Sequence, residues 1–379
     1  MKSQDQRESE QLSALQRLVP TEFKLSRLAD LEMLPVLRKG ELHDQQQSAL
    51  PFGRIATKNV AHIFQSPGPI YEPGGMAPDW WRFGRFLRAI GLTQDDVVQN
   101  TFAYHFTPAG AMFESAAKSI GAPVFPAGPG QTHQQAEVAA AIGTTTYAGT
   151  PDYLAAILAK GDELGLDLSR INKAAVSAGP LFPQLRQGYQ DRGIMCRQCY
   201  GTADVGLIAY ETDEMTDGMF VDDDVIVEIV TPGTGTAVAQ GEIGEVLVTV
   251  LNPDYPLLRF SVGDLSALMP QEADTPPRIV GWRGRADQAA KVKGMFIRPE
   301  QVASLLTRHP EIARARVEVQ FDGKTDKLEV QLESENDNVP LYAASVAEIL
   351  KLRAEVSVVP KGSLPRDGLV ISDLRPMAG

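Results

Sequence analysis

The sequence predicts an α/β chain in two parts: a large N-terminal domain over residues 1–286 and a small, reduced α+β domain over residues 287–379. Three observations carry this. From residue 78, helix-period and strand-like segments alternate, the pattern of a parallel sheet with right-handed crossovers. After residue 215, apolar runs follow one another between turn signals, as in an antiparallel β-subdomain. Near residue 288 the pattern becomes helix, strand, strand, helix, strand, over about 90 residues, an ordinary size for a small domain.

Residues 1–50 read as polar and helical, with the Leu-rich patch "LADLEMLPVLRKGEL". In "PDWWRFGRFLRAIGL", Trp80, Phe83, Leu87 and Ile90 share one helix face, widened by Phe86, while Arg82 and Arg85 fall opposite and Gly91 supplies a stop. "DVVQNTFAY", "APVFPAG", "TTTYAG", "NKAAVSAG" and "IMCRQCYG" read as strands. Helices are expected in "PAGAMFESAAKSIG", "QTHQQAEVAAAIG", "TPDYLAAILAKGDELG", with Thr150 as N-cap, and "PQLRQGYQDRG". "DVIVEIV", "GEVLVTVL", "LLRFSVGD" and "PRIVGW" form the antiparallel set. The last part has helices in "PEQVASLLTRHPEI" and "PLYAASVAEILKLR" and strands in "ARVEVQF", "KLEVQLE" and "EVSVVP". Ligands of parallel sheets sit beyond the C-terminal strand ends, which directs attention to "AYHFTPAG", "YAGTPDY", "VSAGPLF" and "CYGTADVG".

The chain has 379 residues, 43% of them hydrophobic, enough for a sizeable core. A net charge of −12 with no Lys/Arg block argues against a nucleic-acid surface. No run approaches the roughly 18 apolar residues of a membrane helix, and the polar start shows no secretory signal, so a cytoplasmic location is expected. Cys196 and Cys199 form a lone C-x-x-C with no second ligand pair; two strand cysteines in a reducing compartment is the favoured reading over a redox or metal pair.

Four stretches stand at strand ends in a fixed order: "YGTADVG" (200–206), "YPLLRFSVGDL" (255–265), "GWRGRADQAAKVKGMFIRPEQV" (281–302) and "KGSLPRDG" (361–368). Together they resemble the adenylate-forming superfamily of acyl-CoA synthetases, most closely its phenylacetate-CoA ligase branch, over nearly the whole chain. The resemblance implies that fold, and attack of a carboxylate on the α-phosphorus of ATP. There an anion attacks an anion, so positioning and charge neutralisation supply nearly all the catalysis. It implies that Asp264 holds the ribose hydroxyls and that Arg285 lies beside the ribose or the phosphates. Tyr200 would stack near the adenine and Gly201 would bind the nucleotide, with Ser177, Ala178, Gly179 and Pro180 at the strand end that flanks the adenine. Thr202 would bond a phosphate oxygen, and Asp204 stands where the family carries a Mg²⁺-binding Glu, making these two the catalytic candidates. Tyr104, His105, Phe106 and Gly110 would line an aryl-acid pocket, and Asp287 would be the hinge of a mobile small domain. The alternatives are a turn-capping Asp264, a surface ion pair at Arg285 and core packing for the aromatics.

The match fails at two places. The family's phosphate loop, S-S-G-T-T-G-K-P, is here S-P-G-P-I-Y-E-P, from Ser66 to Pro73. Two prolines remove backbone donors, and Glu72 replaces the lysine and is expected to repel triphosphate. No lysine follows residue 361, so the C-terminal catalytic lysine is missing as well. Lys361 precedes its motif, and Lys291 and Lys293 follow the hinge. Three readings stay open: an atypical adenylating enzyme for an aromatic carboxylic acid, an ordinary aryl-CoA ligase, and a non-catalytic binder of an aryl acid or nucleotide. The eroded motifs resemble those of atypical adenylating proteins in phenazine antibiotic biosynthesis. That likeness implies phenazine-1,6-dicarboxylate as the acid and a partner reductase as the acyl acceptor, and places coenzyme A in doubt. Family members are often homodimers.

Overall fold

The computed structural model describes residues 3–66, 69–271, 275–286, 290–292, 295–321, 326–367 and 369–375. The chain opens with α1 (Gln4–Leu15), a 3₁₀ turn (Leu28–Met33) and α2 (Lys39–Ser48). Ser3 caps α1, accepting from the Gln6 amide. A hairpin follows, β1 (Val60–Ser66) against β2 (Ile70–Gly75), at the phosphate-loop position. Gly74 and Gly75 fit under two tryptophans: a Cβ at Gly75 would fall 1.9 Å from the Trp80 ring and one at Gly74 3.0 Å from Trp81.

Next come α3 (Phe83–Ala89), β3 (Val98–Asn100), α4 (Ala109–Ile120), β4 (Val124–Pro126), α5 (Thr132–Ile142), β5 (Thr146–Gly149), α6 (Pro151–Leu164), β6 (Lys173–Val176), α7 (Pro183–Asp191) and β7 (Met195–Thr202). The expected alternation is present, and β4, β3, β5, β6 and β7 lie parallel in that order. Thr150 takes the extended cap conformation with Pro151 in the first turn, but its side chain makes no cap bond. Arg82 and Arg85 do not face open solvent: both reach buried Asp222, at 3.0 and 2.9 Å.

The sheet then turns antiparallel through β8 (Gly206–Tyr210) and β9 (Met219–Val221), two strands the sequence patterning had not isolated. β10 (Val225–Val230), β11 (Gly244–Val250) and β12 (Phe260–Ser266) make a separate antiparallel sheet, while β13 (Arg278–Ile279) returns to the edge at β9. One core, containing Trp80, Trp81, Phe86, Phe113, Leu207 and Phe260, joins the two sheets. Buried Arg259 fastens the N-terminal segment to them, donating to Leu34 O and Gly235 O at 2.8 Å and pairing with Glu228.

The last part holds β14 (Ala290–Val292), β15 (Met295–Ile297), α8 (Pro299–Arg308), β16 (Arg314–Phe321), β17 (Asp326–Glu333), α9 (Val339–Leu350), β18 (Glu355–Val359) and β19 (Ile371–Asp373). Its four-stranded sheet runs β18-β17-β16-β19, with its own core around Val302, Val317, Val330, Tyr342 and Ile371. β19, not anticipated from the sequence, pairs parallel to β16.

Candidate active site

Asp264 does not follow its strand, as the strand-end placement of its motif had implied; it lies inside β12. Gly263 takes φ +75°, and the register slips so that residues 262–264 stand opposite Val246 alone. This bulge re-aims the Asp264 carboxylate, and the left-handed backbone explains the glycine. The segment 283–286 is pinned antiparallel alongside. Leu265 N donates to Gly284 O and Ala286 N to Gly263 O, each at 2.9 Å, and Asp264 pairs with Arg285 across the bridge.

Three donors meet on this nearly buried carboxylate. Tyr200 Oη donates to Oδ2 at 2.7 Å, while Trp282 Nε1 and Arg285 Nη1 donate to Oδ1 at 3.1 and 3.0 Å. Burial first, then the Asp264 charge, holds the Tyr200 phenol protonated, with its pKa well above the ordinary value. Tyr200, Asp264 and Arg285 were expected together and are together. Trp282 was missed, although it stands inside the quoted linker motif three residues before Arg285. Each carboxylate oxygen keeps acceptor capacity, so a ribose diol could bind without displacing every donor.

The adenine segment forms a lip at the end of β6. Ser177 is buried, its hydroxyl donating to Cys199 O at 3.0 Å, while Ala178 takes φ +59° and is exposed with Pro180. Gly179 is half-buried beside Pro151. Gly201 has no room for a side chain, because a Cβ would come within 2.7 Å of Gly206 O and 2.9 Å of Phe83. Thr202 Oγ1 accepts from Val205 N at 3.3 Å.

The phosphate-loop position is a buried polar cluster. Glu72, 1% exposed, points inward and accepts from Ser66 Oγ. Desolvation, and then the charge of Asp204, raises its pKa to about 8, against opposing effects of Ser66 and Lys39. Burial therefore favours the neutral acid over the carboxylate. Glu72 was expected to be charged and to repel triphosphate; it is instead folded into the protein, where burial disfavours its charged form. Lys39, in the first turn of α2, places Nζ 3.0 Å from Asp204 Oδ2, an ion pair by distance without the alignment of a hydrogen bond. Gln46 of the same helix clamps β2, accepting from Tyr71 N at 2.9 Å and donating to Tyr71 O at 2.8 Å. Asp204 Oδ1, Glu72 Oε2 and Tyr255 Oη are buried without hydrogen-bond partners. Of these, the Asp204 carboxylate is the hard oxygen donor that suits Mg²⁺, which takes one or two carboxylates and fills its remaining positions with water or phosphate. No group of three His, Cys, Asp or Glu side chains gathers as a metal site among the described residues.

In the expected aryl pocket, Tyr104 is half-buried and accepts from Asn100 Nδ2 at 2.8 Å. Gly110 lets its ring approach, since a Cβ would meet it at 2.8 Å. His105 and Phe106 are exposed, and Phe106 at φ +62° accepts from Gln65 N through its carbonyl, tying this loop to β1. Asp287 and Lys293, the Pro67-Gly68 pair and the side chain of Lys291 lie outside the described residues. In the C-terminal motif Leu364 is buried, Asp367 accepts from Arg316 at 2.9 Å and Lys361 is exposed. Cys196 and Cys199 are free, buried in β7 and desolvated until their pKa values reach about 12, conditions opposite to those of a reactive thiol.

A parallel sheet continued by antiparallel strands, a second antiparallel sheet bearing Asp264 and a small α+β unit together have the fold of adenylate-forming enzymes. The comparisons with known proteins agree. No protein-family model matches the chain. It is similar to the phenylacetate-coenzyme A ligase of Aromatoleum evansii, 29% identical over 326 residues, covering 82% of this chain and 73% of that ligase. It is 27% identical to the phenylacetate-coenzyme A ligase of Escherichia coli (strain K12), covering 95% of this chain and 88% of that one. Among solved structures, 2-hydroxyisobutyryl-CoA ligase in its postadenylation state, in complex with 2-HIB-AMP, superposes with a TM-score of 0.70 at 21% identity, over 98% of this chain and 90% of that one. The chain is thus similar in sequence to phenylacetate-coenzyme A ligases and shares the fold of 2-hydroxyisobutyryl-CoA ligase. No helix among the described residues is long and apolar enough to cross a membrane.

Proposed function

We propose that the protein activates an aromatic carboxylic acid as its acyl-adenylate, using ATP. The observation that carries this is the convergence of Tyr200, Trp282 and Arg285 on Asp264, beside the C-terminal edge of the parallel sheet. In this reading Asp264 binds the ribose, Arg285 and Thr202 the phosphoryl oxygens, and the lip from Ser177 to Pro180, with Gly201, the adenine. Tyr104, His105, Phe106 and Gly110 receive the aryl acid. Asp204, with Glu72 beside it, would hold Mg²⁺, which supplies charge neutralisation on the phosphates. The residues from 287 onward swivel about Asp287 between the half-reactions.

Two fates of the adenylate follow. Transfer to coenzyme A is favoured by the curated relatives, whose names give a CoA ligase activity. Hand-over to a partner reductase, with phenazine-1,6-dicarboxylate as the acid, rests on the eroded loop and C-terminal motifs alone. Pyrophosphate exchange over a panel of aryl acids, with and without coenzyme A, tests the reading. Exchange dependent on an aryl acid is the expected result, and thioester formation would choose the first fate. AMP and aryl-acid binding with no exchange under any condition would leave a binding protein instead.

A further inference from the structure

The loop that should carry a phosphate-binding lysine carries a buried Glu72, bonded by Ser66. The structure brings a different lysine to the same place. Lys39 comes from α2, outside every motif that pointed to the site. Its helix is fixed to the loop strand by Gln46, and His43 Nδ1 lies 2.8 Å from Pro69 O. Its ammonium is 3.0 Å from Asp204. Lys39 also lines a cavity of about 280 Å³ whose wall includes Arg38, Gly263, Ala286 and Arg298. Gly263 and Ala286 are the chain neighbours of Asp264 and Arg285, so the backbone that carries the ribose-binding pair of the reading above forms part of the cavity wall.

The cations of that wall differ in how they are held. Arg38 is tied down by Glu245 at 2.8 Å and by Thr234 O at 3.0 Å, with Glu300 at 3.6 Å. Lys39 faces Asp204 without hydrogen-bond alignment and is a third exposed. An ammonium carries three donors on a rotor, so Lys39 can keep its attraction to Asp204 and still donate to a second anion. Asp204 thereby fixes the position of the charge, and Glu72 is turned inward onto Ser66, away from an incoming phosphoryl group.

We propose that Lys39, positioned by Asp204, binds the phosphoryl group of the nucleotide from the cavity beside Asp264, in place of the lysine absent from the loop. The assignment rests on the nucleotide reading of Asp264. The test is isothermal titration of the full-length protein with AMP and with adenosine, for wild type, Lys39→Met and Lys39→Arg, each checked for an unchanged melting profile. A charge-assisted contact predicts about a tenfold or greater loss of AMP affinity in Lys39→Met, unchanged adenosine affinity, and recovery to within a few-fold in Lys39→Arg. AMP binding unchanged in Lys39→Met would overturn the assignment while leaving the nucleotide site standing. Equal losses for AMP and adenosine would also overturn it, since they mark a purely structural lysine. Wild-type protein that binds neither ligand would remove the nucleotide reading itself, and this assignment with it.

Discussion

Tyr200 Oη and Asp264 Oδ2 are 2.7 Å apart, joining the end of the parallel sheet to the bulge of the second antiparallel sheet. The bond unites two strands 64 residues apart and sets which way the carboxylate faces. Tyr200→Phe removes one charge-assisted bond from a buried acceptor. The expected loss is roughly 1.5–3 kcal/mol of unfolding free energy, read by urea denaturation. A loss within experimental error would show that Trp282 and Arg285 suffice to hold Asp264.

Asp264→Ala takes the shared acceptor from Tyr200, Trp282 and Arg285 together. AMP affinity is expected to fall about tenfold or more, measured by titration under conditions where the variant is folded. Retained affinity would count against a ribose-binding Asp264.

Glu72 gives a pH-dependent stability with a defined sign. Its pKa in the folded protein, about 8, lies above the ordinary 4.5, so folding favours the protonated form. The stability that this provides is fully present below about pH 4.5 and is lost as the pH rises toward 8, at up to about 1.4 kcal/mol per pH unit. Glu72→Gln cannot ionise. Between about pH 5 and 8 the melting temperature of wild type is expected to fall relative to that of the variant. Parallel curves would mean that Glu72 does not titrate in that window.

Gly263→Ala places a Cβ on a residue at φ +75°. A cost of about 1 kcal/mol is expected from the left-handed backbone alone. Because the bulge aims Asp264, AMP affinity should fall beyond what the stability loss explains. Unaltered affinity would show that the bulge does not govern the carboxylate's direction.

The two cysteines should be inert in the native state. A thiol-disulfide reagent at about pH 8, below the raised pKa values, is expected to label neither Cys196 nor Cys199 until denaturant is added, and then both. Rapid native labelling would restore the redox-pair reading.

Most of the parallel sheet was legible in the sequence, because each crossover pairs a helix-period run with a short apolar run and the two periods differ. Strands β8, β9 and β19 were not, being short segments whose pairing is settled by distant partners. The Asp264–Arg285–Tyr200 set was legible because each member stands in one of the ordered motifs that carry the family resemblance. Lys39, Trp282 and Tyr255 were harder to find: Trp282 and Tyr255 stand inside quoted motifs but carry no local sign of a role, and nothing local marks a first-turn lysine as facing Asp204, 165 positions further on. The same gap explains the reversal at Glu72. Residue type and position identify it by themselves as the departure from a phosphate loop. Whether that carboxyl is charged depends on desolvation and on Asp204, Ser66 and Lys39, which only the folded chain brings around it.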